Sequence, residues 1–369
     1  MVLKNNYKEC LTNLACSIRK YYGLEYKHNT LDYIDNIINE YNPKNIVMIL
    51  FDGMGNNILE KMLDKDSFLI KNKIKKISSV FPATTVAATT SITTGLNPVE
   101  TGMLGWDMYY KDIDKVITVF LNSTKEDNDK VLEEAIEFKK KHMITKTIVN
   151  EINDAGNYTA YTVSPFDGIN YNSIDEMFDI IENKCNENGK KYIYAYNVEP
   201  DNTMHVIGSD KEEVKDIIKD INKRVELLSN KLDDTLIIVV ADHGHINVDN
   251  LFIKDYPDIE ECLLMNTSLE SRAVNFFIKN DKKEQFVKLF NKYFSKYFDL
   301  YDKEDIINSK LFGDGEENDI FRSAIGDYIG IAKSNKTLLY NGGSILKSQH
   351  AGYTDDEIYV PLILVKTKK

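Results

Sequence analysis

Apolar residues in the first 44 positions recur at helical spacing. Leu31, Ile34, Ile37 and Ile38 share one face, and Pro43 closes the run. The pattern predicts amphipathic helix packed on the outside of the main body. It then changes character. Residues 45–51 (Asn-Ile-Val-Met-Ile-Leu-Phe) are continuously apolar rather than alternating, the mark of a strand covered on both faces, as in a parallel sheet. Residues 74–80, 158–163, 191–198 and 235–241 read as further strands. Between them, 130–155, 173–188 and 211–231 read as helices, the last with Val214, Ile217, Ile218, Ile221 and Leu227 on its apolar side. Strand alternating with helix predicts an α/β fold with a mostly parallel central sheet flanked by helices. From about 250 the alternation is lost: a strand at 272–279, an aromatic-rich helix at 282–298, a helix at 303–311, an acidic turn at 313–318 and short strands at 327–332 and 337–340. The expected organisation is a catalytic α/β unit of 1–249 and 346–369, ending in a strand at 358–365, with a small α+β cap inserted at 250–345.

One predicted helix breaks the usual rules. Residues 78–102 carry Thr84, Thr85, Thr89, Thr90, Thr93 and Thr94, although a branched β-carbon makes threonine a mediocre helix former. The punctuation is still helical. Pro82 precedes, Gly95 falls where a left-handed C-cap belongs, and Pro98 follows. A helix starting near Thr84 and Thr85 would set free N–H groups and a positive dipole end beside a hydroxyl, surroundings that suit an anion and phosphate above all. Read alone, a capped core helix of closely packed small residues is the simpler account.

Charge narrows the partners. A net charge of −12 removes the electrostatic case for a nucleic acid polymer or an anionic membrane. No stretch approaches the length of a transmembrane helix. An acidic chain can still take an anionic substrate where bound cations reverse the local field. Cys10, Cys16, Cys185 and Cys262 form no CxxC pair, so free thiols are expected. The first residues lack an apolar leader, and the expected location is the cytoplasm. Oligomeric state is not legible in any of these features.

Candidate chemistry collects at strand ends. His205, His243, His245 and His350 stand beside Asp, Gly or Thr in short motifs. Asp201 and His205 are four apart, so one helical turn projects both from the same face. Asp242 and His243 directly follow a buried strand, and Asp52 holds the equivalent place after another. Such ends are where open α/β sheets hold ligands. Carboxylates and imidazoles without thiolate suit Zn²⁺ or Mn²⁺, with Mg²⁺ at an oxygen-rich position. Singly, each motif has an ordinary structural reading: Asp52 can end a turn, Asp201 can cap a helix, and His243 can be a satisfied buried histidine. Taken together with a phosphate-suited helix, they favour a metal site.

In this order the motifs resemble the alkaline phosphatase superfamily, in particular its type I phosphodiesterase/nucleotide pyrophosphatase branch. They are Ile-Leu-Phe-Asp52-Gly-Met-Gly, Phe-Pro-Ala-Thr-Thr85 to Thr-Thr-Gly95-Leu-Asn-Pro, Glu-Pro-Asp201 to His205, Ala-Asp242-His243-Gly and His350-Ala-Gly-Tyr-Thr. The resemblance spans roughly 45–250 and 340–366. It implies two divalent ions, Zn²⁺ first among the candidates and Mn²⁺ or Mg²⁺ the alternatives. Asp201, His205 and His350 would hold one. Asp52, Asp242 and His243 would hold the other, together with the nucleophile. The family's nucleophile lies ten residues before the helix-ending Gly95, which is Thr85, leaving Thr84 and His245 as neighbours able to orient a ligand.

The activity so implied is hydrolysis of a phosphodiester or phosphoanhydride bond in a small phosphorylated substrate, with nucleotides among the candidates, through a phosphothreonine intermediate. Where the branch carries a phosphoryl-binding asparagine this chain has Trp106, its only tryptophan, a departure that bears on nucleotide specificity. The alternatives are a phosphomonoesterase, phosphonate hydrolase or phosphomutase of the same superfamily, and a noncatalytic metal-binding protein, which would not need Thr85. Arg272 and Arg322 are the arginines that could reach in from the cap to mark a monoesterase, although structural or surface roles are the simpler expectation. No cysteine stands in the nucleophile motif, which disfavours a sulfatase.

Overall fold

Six strands make the central sheet: β1 Asn45–Phe51, β2 Lys73–Ser78, β3 Thr159–Val163, β4 Lys191–Asn197, β5 Thr235–Val240 and β6 Tyr359–Lys366. They lie in the order β2-β6-β5-β1-β4-β3 in a computed structural model that describes residues 5–342 and 345–369. Residues 1–4 of the expected N-terminal segment and 343–344 of the expected cap therefore fall outside the described residues. β1 runs parallel to β4 and β5, and β3 parallel to β4. β6 alone is reversed, antiparallel to both β2 and β5. The apolar runs account for the layering. Every residue of β1, β4 and β5 is buried, as strands with helices on both faces require. Edge strand β2 instead alternates along Lys73–Lys76 between half-buried and exposed positions.

Five helices bear on the site and its support: α1 Leu11–Tyr21, α2 Asp32–Tyr41, α3 Thr85–Thr94, α4 Asp201–Ile207 and α5 Glu212–Lys231. The described residues of the N-terminal segment, 5–44, thus form two helices, both contributing to the main core. In α5 the buried stripe is Val214, Ile218, Ile221, Val225 and Leu228. Leu227, expected on that side, is half exposed, because steps of three and four from Ile221 lead through Val225 to Leu228. The expected single helix at 130–155 is two, Glu133–His142 and Ile148–Ala155. Met143 takes an extended conformation after the first, and Thr147 caps the second by accepting a hydrogen bond from the Asn150 N–H at 3.2 Å.

A second sheet of eight strands lies beside the first. Its order is Phe298–Asp302, Tyr328–Ala332, Ala273–Phe276, Ser268–Leu269, Asp107–Tyr110, Lys115–Thr118, Ser123–Thr124 and Asp127–Val131. Strands between 107 and 131, expected within the catalytic unit, hydrogen-bond into the same sheet as strands from the 250–345 stretch. Phe276, Phe286, Phe290, Phe294 and Phe298 form the aromatic part of its core. No helix among the described residues is long and apolar enough to cross a membrane. All four cysteines are free and buried.

One buried ion pair ties the two sheets together. Arg272 and Glu357 both have fully buried side chains and meet through two bonds, Nε to Oε1 at 2.6 Å and Nη2 to Oε2 at 2.8 Å. The same carboxylate accepts from Gly352 N at 2.7 Å and Thr354 Oγ1 at 2.6 Å, so it also fixes the loop that carries His350. Arg272→Met would leave that carboxylate buried without its cation. The expected loss is about 3–5 kcal/mol of unfolding free energy, read from urea titration.

Candidate active site

The sheet order decides which motifs meet. β5, β1 and β4 are neighbours and parallel, with Leu50 beside Val240 and Phe51 beside Asn197. Asp52, Asp201 and Asp242 therefore leave the sheet at one edge. Because β6 is reversed, it begins where the parallel strands end, which brings His350 to the same edge. Close packing holds the turns there. A Cβ on Gly244 would lie 1.9 Å from Asp356 O, and one on Gly55 would lie 2.4 Å from Gly244 Cα.

Two groups of ligand atoms result. Asp201, His205, His245 and His350 can each turn one such atom to within 4.8 Å of the others, and so can Asp52, Asp242 and His243. All six acid and histidine residues expected as metal ligands are thus placed in these two groups, and His245, expected as a neighbour, joins the first. Its Nε2 lies 2.5 Å from Asp201 Oδ1, and His205 Nε2 lies 3.3 Å from the same oxygen. The far sides of these rings are anchored. Nδ1 of His205 meets Ser348 O at 2.8 Å, Nδ1 of His245 meets Ser348 Oγ at 2.7 Å, and Nδ1 of His350 meets Ala83 O at 3.2 Å. Anchoring at Nδ1 leaves Nε2 as the ring atom that can serve as a ligand. Asp201 is the first residue of α4 rather than its cap, which is Pro200.

The second group is wholly buried. His243 Nε2 lies 3.3 Å from Asp52 Oδ1 and 3.6 Å from Asp242 Oδ2. Asp242 Oδ1 accepts from the N–H of Gly53 at 3.0 Å and of His243 at 2.9 Å, and the Tyr196 hydroxyl donates to Asp52 Oδ2. The remaining oxygens, Asp52 Oδ1 and Asp242 Oδ2, are buried and accept no hydrogen bond. Burial and the charge of Asp201 push the Asp52 carboxyl well above its usual range; burial and Asp52 do the same to Asp242. Burial would also raise Asp201, but the imidazoles of His205 and His245 hold it well below. Burial lowers His245 to about 4, against the pull of Asp201. Burial and His243 lower His350 well below the ordinary imidazole value. Such a set, with orphaned buried carboxylate oxygens beside imidazole nitrogens, fits divalent cations.

The threonine helix supplies one wall. Thr84 is its extended N-cap, Thr85 its first residue, and Gly95 closes it at φ 77°. Four hydroxyls are spent inside the helix: Thr89 on Thr85 O, Thr90 on Val86 O, Thr93 on Thr89 O and Thr94 on Thr90 O, each at 2.6–2.7 Å. Thr84 Oγ1 donates to Glu270 Oε1 at 2.6 Å. Thr85 Oγ1 alone turns to the buried group, 3.3 Å from His243 Nε2.

The type I phosphodiesterase/nucleotide pyrophosphatase family matches residues 46–352. The chain belongs to that family. It is a phosphodiesterase-type hydrolase with candidate ligand groups for metal ions. A search of curated proteins finds no match. Among solved structures, murine ectonucleotide pyrophosphatase/phosphodiesterase 5 is similar at TM-score 0.66 and 16% identity, over 86% of this chain and 87% of that one. The human protein of that name is similar at TM-score 0.66 and 18% identity, over 87% of each chain. An inactive threonine-to-alanine form of the murine protein, in complex with AMP, is similar at TM-score 0.64 and 16% identity, over 86% of this chain and 87% of that one. These likenesses carry the alkaline phosphatase-like fold.

Within the family pattern, several neighbours of the site carry no sequence signal. Ser348, Tyr196 and Glu270 lie outside the motifs, and only the fold brings them to the ligand set. Trp106 sits at the rim, partly exposed, its ring edge-on to Phe120 at 6.0 Å while its backbone N–H donates to Glu270 Oε1 at 2.8 Å. Arg272 is engaged with Glu357, and Arg322 pairs with Glu317 on the surface. Ser348→Ala frees His245 Nδ1 while keeping the carbonyl that anchors His205. It is expected to weaken divalent-ion affinity about 10–100-fold in chelator competition.

Proposed function

We propose that this chain hydrolyses phosphodiester or phosphoanhydride bonds of small nucleotide-type substrates, with Thr85 as nucleophile beside two divalent ions. The observation that carries this reading is the accounting of hydroxyls. Of the threonines in and capping α3, Thr85 alone offers its Oγ to the buried Asp52–Asp242–His243 group. Asp201, His205 and His350 would hold one ion, with His245 beside them, and Asp52, Asp242 and His243 the other. Zn²⁺ suits this imidazole-rich donor set best, with Mn²⁺ and Mg²⁺ as alternatives. Bound divalent ions would supply a lowered hydroxyl pKa and neutralise charge on the phosphoryl oxygens.

The chain's own residues do the rest. The N-terminus of α3 presents N–H groups and a positive dipole end to the phosphoryl group. Thr85 Oγ forms a bond to phosphorus as the bond to the leaving oxygen breaks, giving phosphothreonine and the departing alcohol or phosphate. Water then adds to phosphorus, the Oγ–P bond breaks, and Thr85 regains its proton. Support for a nucleotide comes from the AMP complex of the murine relative, and support for the nucleophile from the inactivity of its threonine-to-alanine form. Neither arginine that could mark a monoesterase is free, which favours the diester over the monoester reading.

Thr85→Ala is expected to lower kcat for bis-p-nitrophenyl phosphate by at least about 10³-fold and to abolish acid-stable protein phosphorylation, while Thr84→Ala keeps turnover within about tenfold. Full turnover in Thr85→Ala would sink the assignment. Metal analysis of the purified protein is expected to give two ions per chain, falling to one in Asp242→Asn with His205 and His350 intact. A wild type that prefers p-nitrophenyl phosphate over the diester would instead support the monoesterase alternative.

A further inference from the structure

The second sheet sends one carboxyl to the phosphoryl wall. Glu270 sits in the turn between strands Ser268–Leu269 and Ala273–Phe276, where Leu269 has φ 63° and Glu270 N donates to Ala273 O at 3.1 Å. Its Oε1 accepts two hydrogen bonds, from Thr84 Oγ1 at 2.6 Å and from Trp106 N at 2.8 Å. Both donors adjoin the reaction centre. Thr84 caps α3 and precedes Thr85, and Trp106 N shares the same carboxyl oxygen with it. A hydroxyl and an N–H that could have served a phosphoryl oxygen are therefore spent on a glutamate. Among the described residues Oε2 has no hydrogen-bond partner. Burial pushes this carboxyl up to about 7, against the two hydrogen bonds.

A carboxylate in such a wall acts unequally on two kinds of phosphate. A terminal phosphoryl group brings a second negative charge, and at reduced dielectric its repulsion is about double that felt by a singly charged diester. An esterified oxygen facing the same wall brings no such charge. We propose that Glu270 is a specificity-determining residue, which disfavours a dianionic terminal phosphate at this wall and so selects phosphodiesters over phosphomonoesters. The proposal rests on the reading of Thr85 as the phosphoryl-accepting centre.

The test removes the charge and keeps the hydrogen bonds. Glu270→Gln retains a side-chain oxygen for Thr84 and Trp106, and Glu270→Ala, whose space water can fill, is the second variant. Thermal melting checks that each folds. Assays at about pH 8.5 hold the wild-type group ionised. The expected result is about a tenfold rise in the ratio of kcat/KM for p-nitrophenyl phosphate to that for bis-p-nitrophenyl phosphate, with the diester changed less than about threefold. Inorganic phosphate, titrated by calorimetry, is expected to bind about tenfold more tightly to either variant. An unchanged ratio in a folded variant overturns the proposal. So does an equal loss for both esters with unchanged phosphate binding, since Glu270 would then only position Thr84. Phosphate binding decides the matter even where turnover fails. A wild type that prefers the monoester would count against the proposed reaction, while the change on removing Glu270 would still be read on its own.

Discussion

Crowding three carboxylates, two of them fully buried and the third half-buried, at the ends of adjacent parallel strands is the constraint on which the molecule depends. Asp52, Asp201 and Asp242 emerge from β1, β4 and β5, the three central neighbours of the sheet, at depths where an unpaired charge is costly. The protein answers the cost only in part. Asp201 is held by two imidazoles, whereas Asp52 and Asp242 each keep an oxygen with no hydrogen bond. Four histidine rings crowd the same space, and those of His243 and His350 stack at 3.7 Å between centroids. With the imidazoles neutral, carboxylate opposes carboxylate: Asp201 against Asp52, and Asp52 against Asp242. Divalent cations held there would relieve that conflict. Much of the surrounding architecture serves to keep the groups in place without them: the Ser348 anchors, the tight Gly55–Gly244 contact and the Arg272–Glu357 pair.

The threonine helix is organised by a related economy. Threonine in a helix interior can bond back to the carbonyl one turn earlier, satisfying its hydroxyl at little gain in helix stability. Thr89, Thr90, Thr93 and Thr94 all do so, and Thr84 is taken by Glu270. Small, self-satisfied side chains let α3 pack closely against α1, and Arg19 of α1 reaches its far end to donate to Thr94 O at 2.9 Å. The composition that looks poor for a helix is therefore suited to one that must lie buried with a single threonine hydroxyl turned to the acid and histidine group.

The parts legible in the sequence are those set by local pattern. Fully buried strands announce themselves as apolar runs, and the acid and histidine motifs come after them at fixed offsets because strand ends leave little freedom. Helix interruptions were less legible. The break at Met143–Thr147 depends on a cap and an extended residue inside an otherwise helical composition, and Leu227 fell outside the buried stripe because that stripe advances by unequal steps. Least legible were contacts made across the fold. The strands of 107–131 are short and locally resemble a loop, and their membership of the second sheet depends on pairing Asp107 with Leu269, far along the chain. Glu270 and Ser348 are ordinary residues in ordinary stretches, and only tertiary structure sets one against Thr84 and the other against two histidines.

That difference in legibility mirrors a division between the two sheets. The parallel sheet presents its acid and histidine groups through strand ends, a geometry tied to the fold itself and therefore to recurring motifs. The second sheet approaches the same edge through loops and turns, and what it contributes there is Glu270 and Trp106. A turn can exchange one side chain for another without disturbing β1, β4 or β5. Substrate preference can thus vary while the ligand set stays fixed. In the wall between Thr84 and Trp106 one carboxyl, that of Glu270, takes up both donors. Two strand systems meeting at one edge let reactivity and selectivity be set by different parts of the chain, joined mechanically through the buried Arg272–Glu357 pair.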